Sequence, residues 1–150
     1  RVDWQTVLFF IGLFVAVSGL EQTGVLEAMA EGIAHITGGS LVLMIIVILW
    51  LSAVASAFVD NIPFAATMVP VINSLSATMG VDLNTLAWTL SMGTDIGGSA
   101  TPIGASANVA GTAIASKNGY HIGWGRYCKY SAPAAVIVLA ISMVMLLLRY

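Results

Sequence analysis

Apolar positions in this chain neither alternate nor form a single stripe. They come in long runs divided by short polar interruptions. Residues 4–20 make one such run, close to the roughly 20 residues a helix needs to cross a bilayer core, with the amphipathic indole of Trp4 at its edge. This predicts a first transmembrane helix. In residues 24–36, Glu27, Glu31 and His35 recur every four positions and share a helical face opposite Val25, Leu26, Met29 and Ile33. That stripe reads either as a short amphipathic scaffold helix with a wet face or as a proton relay through Glu31 and His35.

Gly38-Gly39-Ser40 predicts a turn, and residues 41–59 form the most apolar run, with Trp50 in its middle. Asp60, Asn61 and Pro63 interrupt it. Pro63 lacks an N–H and suits the first turn of a new helix, while Asp60 or Asn61 can cap the exposed donors there. A second apolar arm follows over residues 64–75, closing at Met79-Gly80-Val81-Asp82. Residues 38–79 thus predict a helical hairpin with its tip at 60–63, either re-entrant or crossing the membrane twice. Residues 1–37 are its scaffold. Residues 83–117 predict a discontinuous helix: a half helix to Met92, an unwound segment over 93–104, and a second half from about 105. Residues 118–130 read as a loop and residues 131–150 as the last transmembrane helix. Lys117, Arg126 and Lys129 form the internal basic cluster, which the positive-inside rule places in the cytoplasm.

Composition makes the bilayer the solvent. Of 150 residues, 59% are hydrophobic and 8% charged, with a mean hydropathy of +0.96, whereas a soluble domain carries about a quarter charged residues. The net charge of −2 and the lack of a basic stripe give no reason to expect a nucleic-acid partner. Cys128 is the only cysteine, which excludes an internal disulfide and a multi-cysteine metal site. The opening RVDWQ has no initiator Met and no signal-peptide pattern, so the expectation is the C-terminal part of a longer polypeptide, or a trimmed form of one. Neither G-x-x-x-x-G-K-[ST] nor H-E-x-x-H is present, and no serine pairs with His or Lys at depth, so an enzyme is not expected.

The chemistry concentrates at the two interruptions. Non-helical backbone survives at membrane depth only where protein buries it or a wet cavity receives it. Gly93, Gly97, Gly98 and Gly104 are expected to supply positive φ and close ligand approach, and Pro102 disfavours helix at Thr101. Thr94, Asp95, Ser99, Thr101, Ser106 and Asn108 add hydroxyl, amide and carboxylate oxygens, which suit hard cations or hydrogen-bond an oxyanion. The half helix after Gly104 and the arm after Pro63 aim positive N-termini at the break, and the half helix ending at Met92 aims carbonyls. Carboxylates at such depth, Asp60 and Asp95, are by default functional. The plainer readings are that Asp60 only caps a helix, that Asp95 ties a turn, and that Gly93 and Gly97 form a G-x-x-x-G packing face, which together would make the chain a non-transporting membrane assembly module.

The stretches FVDNIPFAATMVPVI and GTDIGGSATPIGASANV resemble the ion transporter (IT) superfamily, and within it the ArsB/NhaD-type, P protein-like permeases. The resemblance implies the C-terminal member of two inverted repeats, an all-α transmembrane unit with a re-entrant hairpin and a discontinuous helix. It places the tip motif on Asp60, Asn61 and Pro63. The unwound-loop motif falls on Gly97, Gly98, Thr101, Pro102, Gly104, Ser106 and Asn108. Dicarboxylate and citrate members carry a Ser-Asn-Thr type tip where this chain has Asp60-Asn61-Ile62, and the added carboxylate leans the substrate toward arsenite, a small anion, or Na+/H+ exchange. No cofactor is implied beyond Na+ or H+ as coupling ion, with Na+ expected at Asp60, Asn61, Asp95, Thr101 and Asn108. A lone repeat needs an N-terminal repeat or another protomer, as in a homodimer, to complete its site. The expected setting is a bacterial inner (plasma) membrane.

Overall fold

The computed structural model describes the chain from residue 4 to residue 150, with the side chains of the first helix described at only part of their positions. Expectations for residues 1–3 and for the Trp4 indole lie outside the described residues. The chain is all-α, and no strand occurs among the described residues. Seven helices follow in order: α1 (Trp4–Gln22), α2 (Val25–Thr37), α3 (Leu41–Ser56), α4 (Asn61–Met79), α5 (Leu83–Gly98), α6 (Ser106–Lys117) and α7 (Trp124–Arg149).

The helix ends follow local chemistry. Gly38 and Gly80 end α2 and α4 at φ of 55° and 67°, a left-handed conformation that costs glycine least. Asp82 starts α5 by accepting the Thr85 N–H at 3.1 Å, and Asp60 starts α4 by accepting the Ile62 N–H at 3.2 Å. Pro63 sits in the first turn of α4, where its missing donor leaves nothing unpaired. In α2, Leu26, Ala30 and Ile33 turn inward, while Glu27, Glu31 and His35 are exposed.

α3 is the axis of the bundle, packed from several sides, with Leu43, Leu51 and Val54 left exposed. Met44 and Ile48 join Leu26 and Ile33 of α2, Met68 and Leu75 of α4, and Leu86 and Leu90 of α5. Ile45, Leu49 and Ala53 instead meet Leu139 and Leu146 of α7. The Trp50 indole N–H points at the Met143 sulfur, 3.4 Å away. α3 and α4 run antiparallel, since residues 57–60 join one end and Gly39 lies against Met79 at the other. Among the described residues, α4 and α7 have the length and hydropathy of membrane spans, and α3 is a shorter apolar helix. At 1.5 Å per residue α7 is about 39 Å long, and Ile137, Ile141, Met145 and Leu148 leave its outer side open as an apolar surface.

Three boundaries differ from the sequence expectation. The half helix does not stop at Met92: α5 continues to Gly98, so the irregular stretch is 99–105 rather than 93–104. Gly93 and Gly97 are helical, and their lack of a side chain lets α3 and α5 touch backbone to backbone. A Cβ on Gly93 would lie 2.7 Å from the Leu49 carbonyl oxygen, and one on Gly97 would overlap the Ala53 backbone more closely still. None of Gly93, Gly97, Gly98 and Gly104 has positive φ, which occurs instead at turn glycines such as Gly24 and Gly119. The expected loop over 118–130 is also shorter, because α7 begins at Trp124 and takes Arg126 and Lys129 into its first turns. Finally, the first hairpin arm ends at Ser56 rather than near residue 59.

The backbone contact predicts a sharp difference between glycines. Gly97→Ala should cost about 1–3 kcal/mol of stability through overpacking, read as a lower melting temperature in detergent. Gly111→Ala, in α6 with nothing within 4 Å of the added methyl, should be neutral or stabilising.

Candidate functional site

The α3–α5 contact sets where the end of α5 lies, and that end meets the hairpin tip. The Asn61 Nδ2 donates to Asp95 Oδ1 at 3.0 Å, joining the start of α4 to the last turns of α5. This pair closes one end of a groove of about 330 Å³ between the two helices. Ile62, Ala65, Val69 and Ile72 line its α4 side, and Ala87, Leu90, Ser91 and Thr94 its α5 side. Asp95 is exposed and also borders a second groove of about 410 Å³, between α5 and α7. The carboxylate is thus at the lip of two cavities with one hydrogen-bond partner among the described residues.

Asp60 is placed differently. Its Oδ1 accepts the Ile62 N–H and its Oδ2 accepts both the backbone N–H of Ser106, at 2.8 Å, and the Ser106 hydroxyl. The N-termini of α4 and α6 therefore converge on a single carboxylate, which supplies the negative charge that helix N-termini attract. The helix-end directions expected from sequence are present, and the anion between them is the protein's own.

The irregular stretch 99–105 is held by polar groups that replace its missing helical hydrogen bonds. Asn108 donates its amide to the Gly98 carbonyl at 2.9 Å and to the Thr101 carbonyl at 3.0 Å. The Thr101 hydroxyl donates to the Ala57 carbonyl and accepts the Gly104 N–H at 3.1 Å, so the buried threonine pins the stretch to the hairpin turn. Ser99 folds its hydroxyl back onto the Ile96 carbonyl at 2.6 Å, and Pro102 lies half-buried beside it in the stretch. Gly98 and Gly104 close over one another: a Cβ on Gly98 would sit 2.9 Å from the Gly104 oxygen, and one on Gly104 would sit 2.8 Å from the Ser56 oxygen. What approaches these glycines is neighbouring backbone.

The residues expected to ligate Na+ consequently divide into three groups. Asn61 and Asp95 pair in the groove, Asp60 joins Ser106 between two helix starts, and Thr101 and Asn108 brace the loop. Their hydrogen bonds do not gather all five into one shell. Thr94 is buried, its hydroxyl bonded back to Leu90 at 2.9 Å. Sequence reasoning missed Ser56, whose buried hydroxyl donates to the Thr94 carbonyl at 2.8 Å and ties α3 to α5 beneath the site. The available signal was Ser52 and Ser56, one turn apart in an otherwise apolar run. It also missed Tyr127, whose hydroxyl donates to the Ser99 carbonyl at 3.3 Å.

Comparison with known proteins places this geometry in context. The family model described as "Citrate transporter" matches residues 1–93. Two uncharacterized transporters of Mycobacterium tuberculosis are 41% and 40% identical to the chain, each over 99% of its length and 35% of their own. The human P protein is 36% identical over the whole chain and 19% of its own length. The chain thus spans about a third of the mycobacterial relatives it matches. No solved structure shows significant similarity. With apolar helices of spanning length, a family match over more than half of its residues and transporters among its relatives, the chain belongs to the citrate transporter (CitMHS) family of membrane transporters in the IT superfamily.

Proposed function

We propose that this chain supplies one half of the substrate and coupling-ion site of a secondary active transporter. In this reading the α3–α4 hairpin is re-entrant, the chain is the C-terminal inverted repeat, and an N-terminal repeat or a second protomer in a homodimer completes the site. The observation that carries it is the Asn61–Asp95 pair: polar groups 34 positions apart meet at the mouth of a groove, beside a stretch of non-helical backbone. Such convergence at a discontinuous helix is how transporters bring substrate and ion together near the midplane. Asp95, with a free oxygen and access to two cavities, is the group that exchanges H+ or Na+. The transported species is a small inorganic ion or oxyanion, as in arsenite efflux or Na+/H+ exchange. The likeness to the P protein supports this ArsB/NhaD-type assignment, and the mycobacterial relatives support a bacterial inner membrane.

A second reading, a citrate or dicarboxylate substrate, is favoured by the family's description and by the state of Asp60. A carboxylate that already accepts the N–H groups of two helix starts repels an incoming anion less than a free one. Gradient-driven uptake into proteoliposomes holding the full-length protein separates the two readings, with citrate, arsenite and Na+ offered in turn. In either case Asp95→Asn should lower coupled flux by about tenfold or more. Retention of flux together with its H+ and Na+ dependence would sink the role given to Asp95.

The two carboxylates should also separate in a melting experiment. Asp60→Ala removes a cap shared by two helices and should cost about 1–2 kcal/mol. Asp95→Asn, which alters one exposed hydrogen bond, should leave the melting temperature nearly unchanged.

A further inference from the structure

Charge is segregated along this chain. All seven Asp and Glu residues precede position 96, and four of the five Lys and Arg residues follow it. Three of those cations, Lys117, Arg126 and Lys129, bracket the α6–α7 connection at one end of the 26-residue apolar helix α7. There the connection through residues 118–123 borders a cavity of about 730 Å³. Arg126, His121, Tyr120, Tyr127 and Tyr130 supply its polar edge, Ala115 and Ile122 its apolar floor, and no acidic residue lines it. The groove between α4 and α5 that the Asn61–Asp95 pair borders shares no residue with it, whereas the α5–α7 groove meets it at Tyr127 and Ser131; Arg126 lines neither groove.

We infer that this cavity is a binding site for the phosphodiester headgroup of an anionic glycerophospholipid. A guanidinium presents forked donors that match two phosphate oxygens, tyrosine hydroxyls add donors at the headgroup level, and the aliphatic floor receives the start of an acyl chain. The location fits that ligand better than a soluble anion. Trp124, Tyr127 and Tyr130 mark the end of α7 as an interfacial belt, and a basic pocket at the end of a span, on the side the positive-inside rule makes cytoplasmic, faces the leaflet richest in anionic lipid. Within the cavity, Arg126 is the only permanent cation. Lys129, on the same helix three residues on, does not line the cavity and lies 6.0 Å from the Tyr130 ring centroid.

That difference makes the test selective, and because it reads lipid rather than flux it is independent of the transport assignment. The full-length protein, purified in neutral detergent, is titrated with short-chain phosphatidylglycerol, phosphatidylcholine or inorganic phosphate, and bound ligand is counted by native mass spectrometry. Phosphatidylglycerol should be retained over phosphatidylcholine. Arg126→Ala should weaken its retention by about tenfold, and Lys129→Ala by less than about threefold. Arg126→Gln, which keeps the side chain's reach, should show the same loss and stands in if Arg126→Ala does not fold. Equal loss in the Lys129 variant would reduce the effect to diffuse attraction and overturn the site. So would equal retention of phosphatidylcholine, or binding of inorganic phosphate with the same dependence on Arg126.

Discussion

Two helices can touch backbone to backbone only where one of them presents no side chain, and the rest of this structure depends on such a contact. Gly93 and Gly97 let α5 lie directly on Leu49 and Ala53 of α3. In a bilayer, where no water is expelled when helices meet, dispersion over a close fit and polar bonds across it are what hold helices together. The Ser56 hydroxyl adds one such bond by donating to the Thr94 carbonyl within the interface. Because α3 also carries the hairpin turn, fixing α5 against α3 fixes the distance from the tip to the end of α5. The Asn61–Asp95 pair is the result.

The irregular stretch beyond α5 illustrates a second constraint: backbone that leaves a helix must still find partners. Asn108 answers two carbonyls with one amide, Thr101 answers one carbonyl and one N–H with one hydroxyl, and Asp60 answers donors from two helices. Most of the polar side chains that look like ligands in the sequence are therefore also the scaffold that keeps the stretch from collapsing into helix. Asp95 is the exception, since removing it would unsettle little besides Asn61. α6 has no buried residue, and Ser106 and Asn108 tie its first turn to the body.

Long apolar runs were readable as helices because their length and composition leave no other way to satisfy the backbone in lipid, and the interruption at residues 60–63 was readable because proline and a capping carboxylate have few other uses. The second interruption was only half readable. Glycine serves both unwinding and close packing: the G-x-x-x-G spacing of Gly93 and Gly97 offered the packing reading that the structure shows, but it names no partner, and the helix they face lies about forty residues upstream. The start of α7 was hidden for a different reason: Arg126 and Lys129 look like loop residues in an apolar context, yet both are good helix formers whose heads reach the interface on long stems. Ser56 was overlooked because its i, i+4 spacing from Ser52 marks a polar side of the run without naming the helix that faces it.

The hydroxyl of Tyr127 reaches from the first turn of α7 to the Ser99 carbonyl, at the point where α5 ends. α7 is about 39 Å long, but its apolar part, residues 131–148, is about 27 Å, close to the roughly 30 Å hydrocarbon slab, so its tilt is set by the local thickness and by its packing. One phenol thus links the membrane-facing helix to the point where α5 gives way to irregular backbone.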